Sequence, residues 1–125
     1  MEGKSILRDK SYAFAIRVVK LSLHLQKNKK EFVLNKQILR SGTAIGALIR
    51  EAEFGQSRAD FIYKMTISLK EANETEYWLL LLMDTDFIEE KLAKSLIADC
   101  VELIKMLIAT IKTAKDRLLK TEKVK

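Results

Sequence analysis

Apolar residues recur along this chain at spacings of three and four, in four separate stretches. That is the period of one face of an α-helix, so four helices are predicted, at about 9–29, 34–53, 58–84 and 89–118. The first stretch carries two stripes. Phe14, Val18, Leu21 and Leu25 make one, and Tyr12, Ile16, Val19 and Leu23 make the other. At about 100° per residue the two lie on opposite sides of a single helix. One bundle core covers one side of a surface helix. The second apolar side needs another partner, and a second copy of the chain is the simplest.

In the second stretch Leu34, Ile38, Ile45, Ile49 and Ala52 share a face with Gly42, and Gly46 lies at its edge. Each glycine inside a helix costs about 1 kcal/mol relative to alanine, so close approach of a neighbouring helix is the expected compensation. Phe54-Gly55-Gln56 reads as a stop, with Gly55 suited to a left-handed C-cap. Ser57 to Asp60 reads as the next start, with Ser57 capping free N–H groups. The third stretch ends in Tyr77-Trp78-Leu79-Leu80-Leu81-Leu82-Met83, apolar almost all round and expected to be buried on several sides. In the fourth, Leu92, Leu96, Cys100, Leu103, Leu107, Ile111, Ala114 and Leu118 form a stripe that Ala93, Ile97, Val101, Ile104 and Ile108 widen. Residues 119–125 read as a frayed basic tail. Short connections between long helices predict an all-α, antiparallel up-down four-helix bundle, one domain spanning 1–125.

Composition agrees. The chain has no Pro and four Gly, too few turn residues for a β protein, and 125 residues suffice for a core without cross-links. A single cysteine, no apolar leader after Met1 and no run of about 18 apolar residues predict a cytoplasmic protein with no membrane span. The net charge of +6 is unevenly spread: residues 1–50 balance at +8, 51–90 at −7 and 91–125 at +5. Such segmentation suits attraction between neighbouring helices or a basic surface for a polyanion.

Catalytic chemistry finds little support. His24 is the only histidine and sits among Arg17, Lys20 and Lys27, a poor setting for a metal. Cys100 lies on an apolar stripe, as a core residue would. No phosphate loop or Glu-x-x-His pair occurs, so no enzyme activity, metal or cofactor is expected. Glu76 stands on the apolar stripe between Ala72 and Leu79 and needs a cation, for which Arg40 and Arg50 are the nearest candidates for a structural ion pair. Two basic rows remain: Arg17, Lys20, His24 and Lys27 on the first helix, and Lys36, Arg40 and Arg50 on the second, with the small Thr43 and Ala47 leaving room between them. Arg17, Lys20, Lys27, Lys36, Arg40 and Arg50 are the candidate contacts to the phosphates of RNA or DNA, a salt-sensitive and sequence-tolerant mode of binding. No exposed aromatic for base stacking is expected. The alternative is a structural or adaptor oligomer whose basic rows pair with the acidic third helix and which meets another protein.

The segments Gln37-Ile38-Leu39-Arg40-Ser41-Gly42-Thr43-Ala44-Ile45-Gly46-Ala47, Ser57-Arg58-Ala59-Asp60-Phe61 and Lys70-Glu71-Ala72-Asn73-Glu74-Thr75-Glu76-Tyr77-Trp78-Leu79 together resemble the bacterial 23S rRNA intervening-sequence proteins, from about Asp9 to Lys115. The resemblance implies a four-helix bundle assembled as a homopentameric ring or barrel. It extends to the accessory variability determinant of diversity-generating retroelements, which implies nucleic acid and a reverse transcriptase as partners. Ala44 and Leu48 stand where the family often has Ser and Asn, while Ile45, Ile49 and Glu51 keep its pattern. The loss of two polar groups favours a packing role for that segment.

Overall fold

The computed structural model describes residues 5–124. Four helices account for most of them: α1 (Ile6–Lys27), α2 (Val33–Glu53), α3 (Arg58–Asp84) and α4 (Glu90–Val124). Each start has a local cause. The Ser5 hydroxyl accepts from the Arg8 N–H at 3.0 Å, which sets α1 going three residues before the predicted position. The Glu31 carboxylate accepts from the N–H groups of Val33, Leu34 and Asn35 at 3.2, 3.1 and 2.7 Å, placing negative charge at the positive end of α2. Ser57 accepts from the Asp60 N–H at 3.0 Å, as the sequence predicts.

Two expectations about helix ends change. Gly55 is not left-handed; no glycine in the described chain has positive φ, and the left-handed residues are Lys30 and Asp86 in the other two connections. A Cβ at Gly55 would stand 2.5 Å from an Asp60 carboxylate oxygen, which can turn aside, and 3.1 Å from the Ala52 carbonyl. The predicted basic tail is helical as far as Val124, and residue 125 lies outside the described chain. α4 has 35 residues, about 52 Å at 1.5 Å each. Its end borders a groove also lined by Ala52, Arg58 and Phe61, and Arg58 donates to the Thr121 hydroxyl at 3.5 Å.

The connectivity is up-down throughout. Between α1 and α2, Arg8 meets Glu53 at 3.3 Å while Val18 lies against Gly42. Between α2 and α3, Ser68 donates to the Ile45 carbonyl and Thr75 to the Ser41 hydroxyl, each at 2.9 Å. Between α3 and α4, the Cys100 thiol donates to the Ala72 carbonyl at 3.2 Å. Between α1 and α4, Lys10 reaches Glu102 at 3.3 Å and Arg17 reaches Asp99 at 2.6 Å. Phe61 of α3 lies beside Ala109 and Thr113 of α4, so in every case numbers rise on one helix as they fall on the other. Each helix touches its two neighbours and not its diagonal, and the α1–α4 seam is the least extensive.

The core is the set of inner stripes. Phe14, Val18, Leu21 and Leu25 of α1 meet Ile38, Ile45 and Ile49 of α2, Met65, Ala72 and Leu79 of α3, and Leu96, Cys100, Leu103 and Leu107 of α4, all buried. Burial of each large side chain contributes roughly 1.5–3 kcal/mol. The glycine expectation holds at Gly42: an added Cβ would lie 2.8 Å from both methyls of Val18, so α1 is the helix that comes close. The segment 77–83 is less enclosed than predicted. Leu79 and Leu82 are buried, but Tyr77 and Leu80 remain 58% and 40% exposed.

Candidate nucleic-acid interface

The two basic rows occupy the outer sides of α1 and α2, but the structure divides their members. Arg17 turns toward α4, where it donates to Asp99 at 2.6 Å and to the Ser95 hydroxyl at 3.1 Å. Arg40 turns toward α3, donating to both oxygens of Glu71 at 3.1 and 3.2 Å and to Glu74. Those two arginines hold neighbouring helices together. Lys20, Lys27, Lys36 and Arg50 are exposed, and none has a carboxylate within ion-pair distance among the described residues.

The proposed ion pair of Glu76 is corrected. Arg40 selects Glu71 and Glu74, and Arg50 lies on the α1 side of α2, out of reach of α3. The reason is helical phase. Glu71 and Glu74 stand on the flank of α3 that faces α2, whereas Glu76 lies on the flank facing α4 and adds its field to the Cys100 site. Glu76 is half-buried and has no ion-pair partner among the described residues.

The room expected beside Thr43 and Ala47 exists. It is a groove of about 710 Å³ between α1 and α2, floored by Ser11, Ala15, Thr43, Gly46 and Ala47 and walled by Tyr12 and Arg50. The close α1–α2 approach at the glycines produces it: small side chains that let backbones draw together also leave a furrow outside.

Sequence reasoning missed three features. Lys29 and Lys30 in the first connection stand exposed beside Lys27, and Phe32, 53% exposed, follows them before Lys36. Arg117 and Lys120 are presented on helical backbone at the far end of α4, where Arg117 lines a groove with Arg58. Aromatics are also more exposed than expected: Tyr12, Phe32, Phe54, Tyr63 and Tyr77 are each more than half accessible. The alternation of Lys with Phe32 in 27–36 was the available signal.

Cys100 is fully buried, and burial first, then the neighbouring Glu76 and Asp99 carboxylates, push its thiol up to about 12. That fits a core residue and not a nucleophile. Among the described residues no group of three His, Cys, Asp or Glu is placed to hold a metal, and no helix is long and apolar enough to cross a membrane.

Comparison with known proteins gives the family. A crystal structure of a protein with unknown function from the S23 ribosomal protein family of Bacteroides thetaiotaomicron VPI-5482 is 57% identical, with a TM-score of 0.85 over 86% of this chain and 99% of that one. No curated protein matches the chain. The model of the 23S rRNA-intervening sequence protein family matches residues 4–109, nearly all of the bundle, and the chain therefore belongs to that family.

Proposed function

We propose that this protein is a non-enzymatic, self-assembling helical bundle that binds nucleic acid through its phosphate backbone. The observation that carries the reading is the set of four exposed row cations, Lys20, Lys27, Lys36 and Arg50, left without carboxylate partners among the described residues. Arg17 and Arg40 leave the set, since both already hold acidic side chains. Lys29, Lys30 and Phe32 join it. A cationic track with an exposed aromatic suits a single strand, whose phosphates meet the lysines while a base stacks on the ring. Repetition of the track around an assembly multiplies the number of phosphates engaged.

Binding of labelled single-stranded and duplex RNA and DNA across a salt series tests this. Retention is expected at about 50 mM salt and loss by about 300 mM, because each phosphate contact adds to the salt slope. Lys27→Ala with Lys36→Ala should weaken every sequence equally and flatten that slope, and Phe32→Ala should weaken the single strand more than the duplex. Absence of retention at about 50 mM salt refutes the reading, since backbone-driven affinity is strongest there.

The pairing of Arg17 and Arg40 across helix seams supports a second reading, an adaptor oligomer that meets another protein. In that case nucleic acid is not retained, and the assembled particle itself is the functional surface.

A further inference from the structure

The groove bordered by the end of α2, the start of α3 and the end of α4 lies at the opposite end of the bundle from Lys27, Phe32 and Lys36. It holds about 480 Å³, within the range of ligand pockets. Its floor is apolar: Ala52 and Ala114 are buried, and Phe61 and Leu118 are half-buried. Its rim is cationic. Arg58 and Arg117 are both exposed there, and neither has a carboxylate within ion-pair distance among the described residues. The Thr121 hydroxyl donates to the Arg117 carbonyl at 3.0 Å and accepts from Arg58 at 3.5 Å, which holds the Arg58 head over the turn that bears Arg117. The start of α3 adds donors. Ser57 accepts from the N–H groups of Asp60 and Phe61, each at 3.0 Å, and leaves those of Arg58 and Ala59 without an acceptor among the described residues. Glu53 lines the groove from the α2 side. Its Oε1 is buried and stands 3.3 Å from the Arg8 guanidinium, yet makes no hydrogen bond.

We propose that this groove binds a nucleoside monophosphate, with the phosphate between Arg58 and Arg117 and the base over the apolar floor, its amine edge toward Glu53. Each part of the groove selects one part of that ligand. Two unpaired guanidinium forks beside a helix N-terminus match a phosphate monoester, which carries about −1.5 to −2 charges and three acceptor oxygens. A carboxylate brings one charge and two oxygens. The floor of Ala52, Phe61, Ala114 and Leu118 asks for an apolar or flat body, which inorganic phosphate and sugar phosphates lack. The buried Glu53 Oε1 asks for a donor, and an N–H on the edge of a base supplies one where a lipid chain does not. The site uses none of the lysines of the proposed strand-binding track and needs no second copy of the chain.

Titration calorimetry of the full chain with AMP tests this. Saturable binding of one AMP per chain is expected, with ribose 5-phosphate, adenosine and inorganic phosphate each at least about tenfold weaker, because each lacks one of the three matched parts. Arg58→Ala and Arg117→Ala change exposed side chains, so both variants should keep the native melt and each should weaken AMP about tenfold. Lys115→Ala, which removes a charge from the same helix away from the groove, should leave AMP binding unchanged, as should Lys27→Ala with Lys36→Ala. The last pair separates this site from the strand-binding reading, whose own failure in the salt series would leave AMP binding untouched. Competition against AMP by an oligonucleotide with a 5′-phosphate, and not by the same strand without it, would identify a strand end as a source of the ligand. Competition by neither would identify the free nucleotide. Equal competition by both would show an internal phosphate contact and overturn the proposal. So would AMP and inorganic phosphate binding equally well, or no saturable binding at roughly 1 mM AMP and above.

Discussion

The two sides of α1 are nearly equal in hydrophobic character and opposite in fate. Phe14, Val18, Leu21 and Leu25 are at most 4% exposed, while Tyr12, Ile16, Val19 and Leu23 are 41–69% exposed. The inner side holds the chain to itself; the outer side is surface that the single bundle never uses. Hydrophobic pattern alone therefore states how much apolar surface needs cover and not which molecule supplies it.

The largest effect that would sharpen this contrast is Phe14→Ala. It should cost about 3–5 kcal/mol, independent of protein concentration. Ile16→Ala should change the stability of the isolated bundle by less than about 0.5 kcal/mol. Its effect should instead grow with concentration, because a loss confined to association follows mass action. Urea unfolding at several concentrations measures both, and equal, concentration-independent losses would erase the distinction.

Next comes Gly42→Ala. The added methyl would press on both branches of Val18, a side chain with little rotamer freedom, so a loss of about 1–3 kcal/mol is expected. Combining it with Val18→Ala should cost less than the two losses added, because the second change opens the space the first one needs. Additive losses in a double-mutant cycle would show that the close α1–α2 approach does not set the inner packing.

How far the fold was legible follows from the same distinction. Period told which residues share a face, so the four helices, both stripes of α1 and the Gly42 contact could be read from residue spacing. Phase between helices could not. Glu71, Glu74 and Glu76 lie within six residues, and only the rotation of α3 against α2 decides that Arg40 takes the first two. Local chemistry also escaped: Gly55 looked like a left-handed cap, yet the left-handed residues are Lys30 and Asp86 in the other two connections, which composition did not mark. At the end of α4, a lysine-rich stretch looked like fraying because composition carries no information about Arg58 and Phe61 alongside it. For the candidate site, the sequence supplied the cations, and ion pairing sorted them.

Smaller effects remain. Arg40→Ala removes a half-exposed pair to Glu71 and Glu74, worth about 1 kcal/mol or less in water. Thermal unfolding should shift by only a few degrees. For Cys100 the sign is set by the raised folded value. Below the ordinary thiol value of 9.0 both states hold the proton and the contribution to stability is constant. Between 9.0 and about 12 the unfolded chain releases it first, so stability should fall as pH rises through that window. Cys100→Ala should flatten that slope in denaturant titrations at pH 8 and pH 10, and a thiol reagent should label the native protein only on unfolding.

The unequal helices give the molecule a direction. With 22 residues in α1 and 35 in α4, one end is blunt and the other drawn out. Cyclic symmetry points every copy the same way. A closed cyclic ring in which the helices run along the ring axis would therefore have two chemically unlike rims, one with Arg117 and Lys120, the other with Lys29 beside Asp84, Asp86 and Glu89. A nucleic acid crossing such a particle would meet a top and a bottom, and could tell them apart.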